Sequence, residues 1–395
     1  ELCFSKARIK YGDLLPNEVQ KRMEEELENV TNKGYAAILI IYYKLAKLMN
    51  KYGFLFTGYK RNGSSFLAYL LGISKVDPLC PLHGFIPYNT DDSTFYLKVE
   101  EEGYLKALQY LRDTFGEDNV VKGGKLSPYP NNTAINMTSL ILERKGIDVE
   151  KIGEGKFKKM ALYASQTKMT MMHHVSALFI LPEGRSWNEF TPLQYVLNND
   201  KYVWKMTHFF HNDLRNSLYE FNITENINLY QLRNLMQITG VDINNVDINE
   251  IRLMDIISGA DKVTNLGIPD LKDTYKGGER SEHQRISLLF AFFKLHYPLA
   301  FYLDYFNKTF YFSPSLIKDN LLLLSKVQLN KRIFNLKSKP FLEYIIDGVY
   351  LKLYEVMLDM KNRGFDFEKV KLGKNFTGEF EIDEPNKRLR PIMKY

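Results

Sequence analysis

The sequence predicts an α+β fold, from three observations. Segments with helical apolar spacing occupy most of the chain, short strand-like runs are scattered between them without regular βαβ alternation, and no internal repeat recurs. The 395 residues are 45% hydrophobic, enough to bury a substantial core and to exclude a disordered chain.

Taken in order, "LPNEVQKRMEEELENVTNKG" is a helix. Pro16 and Asn17 mark its start, Val19, Met23, Leu27 and Val30 recur at helical spacing, and Gly34 follows its end. "YAAILIIYYKLAKLMNKYG" is a second, largely buried helix ending near Gly53. "FLFTG" is a short strand and "SSFLAYLLG" a helix; Pro78 to Thr94 is a loop, and "GYLKALQYLRDTFG" is helical. A Gly/Pro/Asn-rich stretch from Lys122 to Asn132 leads into a helical, Lys-rich segment that runs to about Lys168. "VSALFILPEG" is the clearest strand, an apolar run closed by Pro182 and Gly184. "NLYQLRNLMQITG" and "INEIRLMDIISG" are short helices ending in Gly. "ISLLFAFFKLHYPLAFYLDYFN" and "PFLEYIIDGVYLKLYEVMLDMKNRG" make the last third helix-rich, and "GEFEID" alternates as a strand.

A net charge of +6 permits contact with nucleic acid without requiring it, because both signs are interspersed. Cys3 and Cys80 alone cannot build a disulfide framework, which points to a reducing cytoplasm. "AAILIIYY" is too short to span a membrane, so no membrane association is expected. A chain opening at Glu1 rather than Met suggests a trimmed N-terminus or an artificial boundary.

Three stretches are chemistry candidates. "THFFHNDLRNSLYEFNITE" (Thr207 to Glu225) carries two of the seven histidines, His208 and His211, and His173 and His174 lie upstream. Their spacing lacks the His-Glu-x-x-His pattern and no Cys lies nearby, so packed or hydrogen-bonded histidines are favoured over a metal site. In "TGYKRNGSSF", Gly63, Ser64 and Ser65 precede an apolar helix beside Lys60 and Arg61. Free N–H groups there would suit an anion, and an N-cap Ser at a strand-to-helix turn is the plainer alternative. In "NTDDSTFYLKVEEEGY", Asp91 and Asp92 are adjacent and would diverge on a strand, while Glu100 to Glu102 suit a helix start; a solvated surface explains both. The basic, aromatic "NKRLRPIMKY" reads as an exposed tail.

Several segments in fixed order resemble the C-family replicative polymerases, specifically the PolC type of bacterial DNA polymerase III alpha subunit. They are "YGDLLPNEVQKRMEEELENVTNKGYA", "NGSSFLAYLLGISKVDPLCP", "FGEDNV", "LFILP", "WKMTHF", "NLGIP", "FFKLHYPLAFYLDYF" and "MKNRGFDFEKVKL". The resemblance implies a nucleotidyltransferase-like palm with a mixed sheet over residues 1–225, a small helical thumb insertion at about 125–170, and a truncated, helix-rich fingers-like region over 226–395. No sequence for an exonuclease, PHP domain, oligonucleotide-binding fold or tandem helix-hairpin-helix is seen. A piece of the fingers between "NLGIPDL" and "RSEHQRISLL" is expected to be missing.

The departures bear on function. The family's two Mg2+-binding aspartates fall on Thr94 and Tyr96, and its third on Asn222, with Glu220 in place of a preceding Lys. The triphosphate-holding Gly-Ser-Arg-Gly-Ser falls on "TGYKR", and only the following Gly63, Ser64 and Ser65 agree. A His-Pro-Gly-Gly turn has become "HVSA" from His174, and Lys and His contacts in the fingers align with Gly277 and Glu279. Two-metal catalysis needs hard anionic oxygens, so the expectation is no bound metal or other cofactor and a catalytically inactive protein. Lys60, Arg61, Gly63, Ser64 and Ser65 would be an anion-binding remnant. DNA and a replisome protein are the expected partners, with Lys60, Arg61, Lys122 and Lys125 as candidate phosphate contacts. The alternatives are an active nucleotidyltransferase with carboxylates relocated to Asp91, Asp92 or Glu100 to Glu102, and a structural replisome module that never touches DNA.

Overall fold

The computed structural model describes residues 1–79, 95–128, 131–166, 168–198, 202–210, 214, 217–258, 268, 278–311, 321–338, 341–369 and 375–394. Among them a seven-stranded mixed sheet is built from β1 (Phe56–Lys60), β2 (Phe95–Val99), β3 (Val120–Pro128), β4 (Lys168–Ile180), β5 (Leu193–Asn198), β6 (Tyr202–Phe210) and β7 (Tyr219–Glu225). The strand order is β1-β2-β7-β4-β3-β6-β5. β2 runs parallel to β7 and β3 to β6; the other neighbours are antiparallel. This is the α+β, palm-like architecture that the sequence predicts.

Helices α1 (Leu2–Tyr11), α2 (Asn17–Asn32) and α3 (Ala36–Tyr52) precede β1. α4 (Arg61–Ser64) and α5 (Phe66–Leu70) follow it, and α6 (Glu101–Phe115) follows β2. In α3, Leu39, Tyr42, Leu45, Ala46 and Met49 recur at helical spacing, and the helix stops at Gly53 with φ 72°, a left-handed cap that favours glycine. That buried stripe, with Met23 of α2 and Tyr104, Leu108 and Leu111 of α6, covers Phe56, Phe95, Leu97, Val99, Leu178, Phe221 and Ile223 of the sheet. Each such side chain contributes roughly 1.5–3 kcal/mol on burial. Alternation along a strand then sends Tyr96, Lys98 and Asn222 to the opposite face.

Between β3 and β4 lie α7 (Asn131–Arg144), α8 (Val149–Ile152) and α9 (Glu154–Ser165), packed on Leu142 and Phe157. After β7 come α10 (Ile227–Thr239), α11 (Ile251–Ser258), α12 (Gly278–His296), α13 (Pro298–Tyr311), α14 (Lys326–Lys337) and α15 (Phe341–Asn362). A three-stranded sheet, β8 (Asp366–Phe367), β9 (Asn375–Asp383) and β10 (Arg388–Lys394), closes on the same core. The run from Ile286 to Asn307 is shared between α12 and α13, which are bent by 117° at Pro298, a residue that lacks an N–H and whose ring clashes with the preceding turn. One expectation is corrected here. "NKRLRPIMKY" supplies β10 rather than an exposed tail: Leu389 is fully buried, and Arg390 is held by Glu368, Glu381 and Asp383. Among the described residues no single helix is long and apolar enough to cross a membrane; the bent pair's apolar residues Phe290, Phe293, Tyr302 and Phe306 are core.

One carboxylate ties the helical half to the sheet. Glu282 of α12 is 1% exposed and accepts from Ser74 Oγ at 2.8 Å, Lys75 N at 2.7 Å, Val76 N at 3.0 Å, Arg285 Nε at 3.3 Å and Thr57 Oγ1 of β1. Burial works against its charge, but Arg285 and these donors together outweigh burial and hold its carboxyl below the usual range. Its contribution is therefore present above the ordinary glutamate range and is lost as pH falls through the depressed folded value. Glu282→Ala, which strands several buried donors, is expected to cost about 3 kcal/mol in urea unfolding, and Glu282→Gln less.

Asp304 of α13 behaves oppositely. Burial raises it to about 6, against hydrogen bonds from Asn234 and Gln231 of α10. Stability from this group is complete below about pH 4 and is lost as pH rises through about 6. The stability difference between Asp304→Asn and the parent is expected to shift by about 2–3 kcal/mol in the variant's favour from pH 4 to pH 7, at about 1.4 kcal/mol per unit. Paired denaturation curves across that range measure it, and a pH-independent difference would refute the assignment.

Candidate functional site

The parallel register of β2 on β7 pairs Tyr96 directly with Asn222 and Leu97 with Ile223. Directly paired residues share a face, so Tyr96 and Asn222 stand side by side opposite the helix-covered side. Tyr42 pins this crossing from beneath. Its hydroxyl donates to Phe95 O at 2.8 Å and accepts from Asn222 N at 2.9 Å. Burial pushes that phenol's pKa upward, so it stays a neutral donor. Asn222 is 2% exposed, and Ser176 Oγ donates to its Oδ1 at 3.1 Å. Thr94 lies outside the described residues.

These positions do not fit a divalent ion. The Asn222 carboxamide offers one neutral oxygen that a serine already engages, and Tyr96 offers a phenol. Among the described residues no group of three or more His, Cys, Asp or Glu side chains is placed to hold a metal. Of the carboxylates weighed as replacements, Asp91 and Asp92 lie outside the described residues. Glu100 is 7% exposed and committed to Arg233 at 2.8 Å, past the far end of β2 from Tyr96. Glu101 and Glu102 open α6.

"TGYKRNGSSF" folds back on itself. Gly58 is closely packed: a Cβ there would lie 3.0 Å from Asn62 Cβ and 3.1 Å from Ile73 O, so a larger residue would press on its neighbours. Lys60 ends β1 at φ 54° and ψ −123°, a conformation that costs a non-glycine residue roughly 1–3 kcal/mol. The resemblance aligns a glycine with this position. Arg61 is fully buried, donates to Asn29 and lies 5.0 Å from the Tyr35 ring and 5.2 Å from the Phe95 ring. Its charge is presented to the protein rather than to a phosphate.

The anion expected at Gly63 to Ser65 is supplied internally. Glu26 of α2 accepts from Ser65 Oγ at 2.6 Å, Phe66 N at 2.8 Å and Leu67 N at 3.2 Å, while Ser65 Oγ accepts from Ala68 N at 3.1 Å. Arg22 pairs with Glu26 at 2.6 Å and donates to Ser64 O at 3.0 Å. Ser65 is thus the N-cap of the plainer reading, and a carboxylate from a distant helix occupies the N–H groups.

The remaining cations divide by face. Lys122 is 4% exposed, with its ammonium 4.6 Å from the Tyr104 ring on the helix-covered side; burial pulls it down to about 8 and Glu225 partly restores it. That placement is at odds with a phosphate contact. Lys125 belongs to β3, paired with Met172, and its side chain lies outside the described residues. Lys60 is partly exposed with its ammonium 4.8 Å from the Tyr96 ring, and Lys98 reaches 3.2 Å from the Tyr59 ring. Lys98 and Tyr59 were not singled out by the sequence reading; strict alternation in "FYLKV" was the available signal.

Histidine chemistry is absent from the described part of this centre. His208 lies on strand β6, exposed, with its Nδ1 3.4 Å from Gln194 Oε1, the hydrogen-bonded rather than the packed alternative. His211 and Gly277 lie outside the described residues, as do the side chains of His173, His174 and Glu279.

Residues 1–154 match the family described as bacterial DNA polymerase III alpha NTPase domain. The chain is similar to the PolC-type DNA polymerase III of Pediococcus pentosaceus, 24% identical over 344 residues, which cover 71% of this chain and 23% of that protein. It is similar also to those of Streptococcus pneumoniae, 25% identical over 312 residues, with 66% and 21% covered, and Staphylococcus aureus, 24% identical over 305 residues, with 65% and 21% covered. The aligned part is thus under a quarter of the length of these curated relatives.

Glu26→Gln would replace one acceptor oxygen with a donor and unbalance buried Arg22. A loss of about 2–4 kcal/mol is expected in chemical denaturation, against less than about 0.5 kcal/mol for exposed Glu24→Gln. Equal effects would show that the internal carboxylate does not organise this turn.

Proposed function

We propose, on the premise that the chain is PolC-like, that it is a catalytically inactive relative of the polymerase alpha subunit that binds DNA or a replication partner without polymerising. The observation that carries this reading is the Tyr96–Asn222 pair. Two positions where the resemblance implies metal-binding aspartates are adjacent on one sheet face, yet they hold a phenol and a serine-bound carboxamide. Phosphoryl transfer depends on charge stabilisation by the metals, so a frame kept without those ligands supports binding rather than turnover. In this reading residues 1–225 are palm-like, residues of about 125–170 form the thumb-like insertion, and 226–395 are a truncated fingers-like region.

The DNA-holding version draws on cations that stay accessible. Lys60 remains partly exposed, and Lys145, Lys156 and Lys159 are exposed on the insertion between β3 and β4. Such contacts release counterions, so the observed affinity should fall linearly with salt on logarithmic axes. Primer extension with Mg2+ and with Mn2+ is expected to give no incorporation, while filter binding of a primed duplex gives affinity with a salt slope. Incorporation abolished by Asp91→Asn with Asp92→Asn would overturn the inactive reading in favour of relocated carboxylates. Absence of DNA affinity at low salt would leave a replication protein as the partner.

A further inference from the structure

A cavity of about 530 Å3 opens where the sheet and the helical half meet, on the helix-covered side of β1. Gly53, Phe54 and Phe56, at the end of α3 and the start of β1, form one wall; α10 and α12 form the other, and residues 242–248 complete the lining. Its volume falls in the range of small-molecule sites, about 300–1,000 Å3. Most of the lining is apolar, with Leu232, Met236, Ile243, Ile248 and Leu289 supplied by or packed against the helical core. The wall is therefore fixed by the fold.

Against this wall the chain sets cations without matching anions. Three lining residues are basic, Lys75, Arg233 and Arg285, and one, Asp242, is acidic. Arg233 is neutralised by Glu100 at 2.8 Å. Arg285 donates its Nε to Glu282 at 3.3 Å, and its terminal nitrogens have no acceptor among the described residues. Lys75 has no ion-pair partner among the described residues, and its ammonium lies 4.1 Å from the Phe56 ring. Its side chain as a whole is exposed, so solvent reaches it. Even so, the protein packed around the ammonium, and then Arg285, pull its pKa down to about 8. Glu282 offsets this in part, with its oxygens already filled by hydroxyl, backbone and guanidinium donors.

The charge balance selects the ligand. With Arg233 paired to Glu100 and Arg285 facing Glu282, Lys75 is the uncompensated cation of the lining, and exposed Asp242 repels a second negative charge. A carboxylate brings one charge, whereas a phosphate monoester brings about −1.5 to −2 at neutral pH. The terminal nitrogens of a guanidinium also suit two carboxylate oxygens side by side. The apolar wall calls for a hydrocarbon or aromatic body.

We propose that this cavity binds a small monocarboxylate with an apolar body, its carboxylate on Lys75 and Arg285 and its body against Leu232, Met236 and Leu289. The occupant touches β1 and α12 together and so adds to the contact that Glu282 makes between them. The site lies on the opposite side of the sheet from Tyr96 and Asn222 and does not depend on the inactive reading.

Titration calorimetry of the full chain with 1-naphthylacetate is the test. 2-(1-Naphthyl)ethanol and 1-naphthyl phosphate keep the ring and change the charge to none and to about −2. The carboxylate is expected to bind, the alcohol roughly tenfold more weakly or worse, and the phosphate no more tightly than the carboxylate. Lys75→Met, which keeps the stem against Phe56, should weaken the carboxylate roughly tenfold or more and leave the alcohol unchanged. Met236→Trp, which fills the cavity from its apolar wall, should abolish binding of both. Exposed Lys47→Met should bind as the parent does, and urea unfolding of each variant separates these losses from misfolding. No binding of the carboxylate would overturn the site. Equal affinity for the alcohol, or a carboxylate affinity unchanged in Lys75→Met, would overturn the role of the charge. Tighter binding of the phosphate would overturn the choice of a monocarboxylate.

Discussion

The palm-like half depends on one docking: the parallel register of Phe95–Val99 against Tyr219–Glu225. β2 follows β1 after a long excursion and β7 arrives much later in the chain, so local propensity cannot set their alignment. The apolar alternation sets it instead. A slip of one residue would carry Phe95, Leu97 and Val99 off the core shared with Phe221 and Ile223 and bring Tyr96 and Asn222 into it. Tyr42, reaching up from α3, then fixes the exact pair of residues, because its hydroxyl bonds both Phe95 O and Asn222 N. The face opposite the helices inherits its composition from this register, whatever chemistry that face performs.

Scaffold and chemistry can therefore separate. A carboxylate pair on that face is tolerable while a divalent ion balances it. Without the ion, like charges a few ångströms apart on a partly buried surface are costly. A neutral Asn222 held by Ser176 removes that cost with little change of shape. Elsewhere among the described residues, two buried carboxylates are surrounded by donors. Glu26 is met by Arg22, a hydroxyl and two backbone N–H groups; Glu282 is met by two hydroxyls, two backbone N–H groups and Arg285. Both hold neighbouring segments to β1, one through the turn after it and the other from the helical half. Their role here is mechanical.

The helices were legible because their signals are local. Apolar spacing and the glycine after Tyr52 fix α3, and Pro16 and Asn17 mark the start of α2. β4 was seen through its apolar run, whereas β2, β3 and β10 were not. "FYLKV" sits between acidic clusters, β3 is interrupted by Gly123 and Gly124, and β10 carries three basic residues, so charge and glycine masked the period-two pattern. The centre was legible only through the resemblance, which singled out Tyr96 and Asn222 as separate positions. Their adjacency is a tertiary fact, fixed by strand pairing across more than a hundred residues of chain.

The same limit explains which cations were misread. Lys60, Arg61 and Lys122 are alike in sequence, each a basic residue near a strand, but strand parity and local backbone send them to different surroundings. Lys122 shares the parity of Val120 and turns toward α6, where burial weakens its charge. Arg61 is drawn under the sheet between two aromatic rings. Lys60 escapes both fates because its positive φ breaks the alternation and tips its side chain over Tyr96. A backbone conformation that suits glycine, occupied here by lysine, is what turns a structural corner into a charged one. Which cation reaches the Tyr96 ring thus follows from one strained residue acting together with the β2 register.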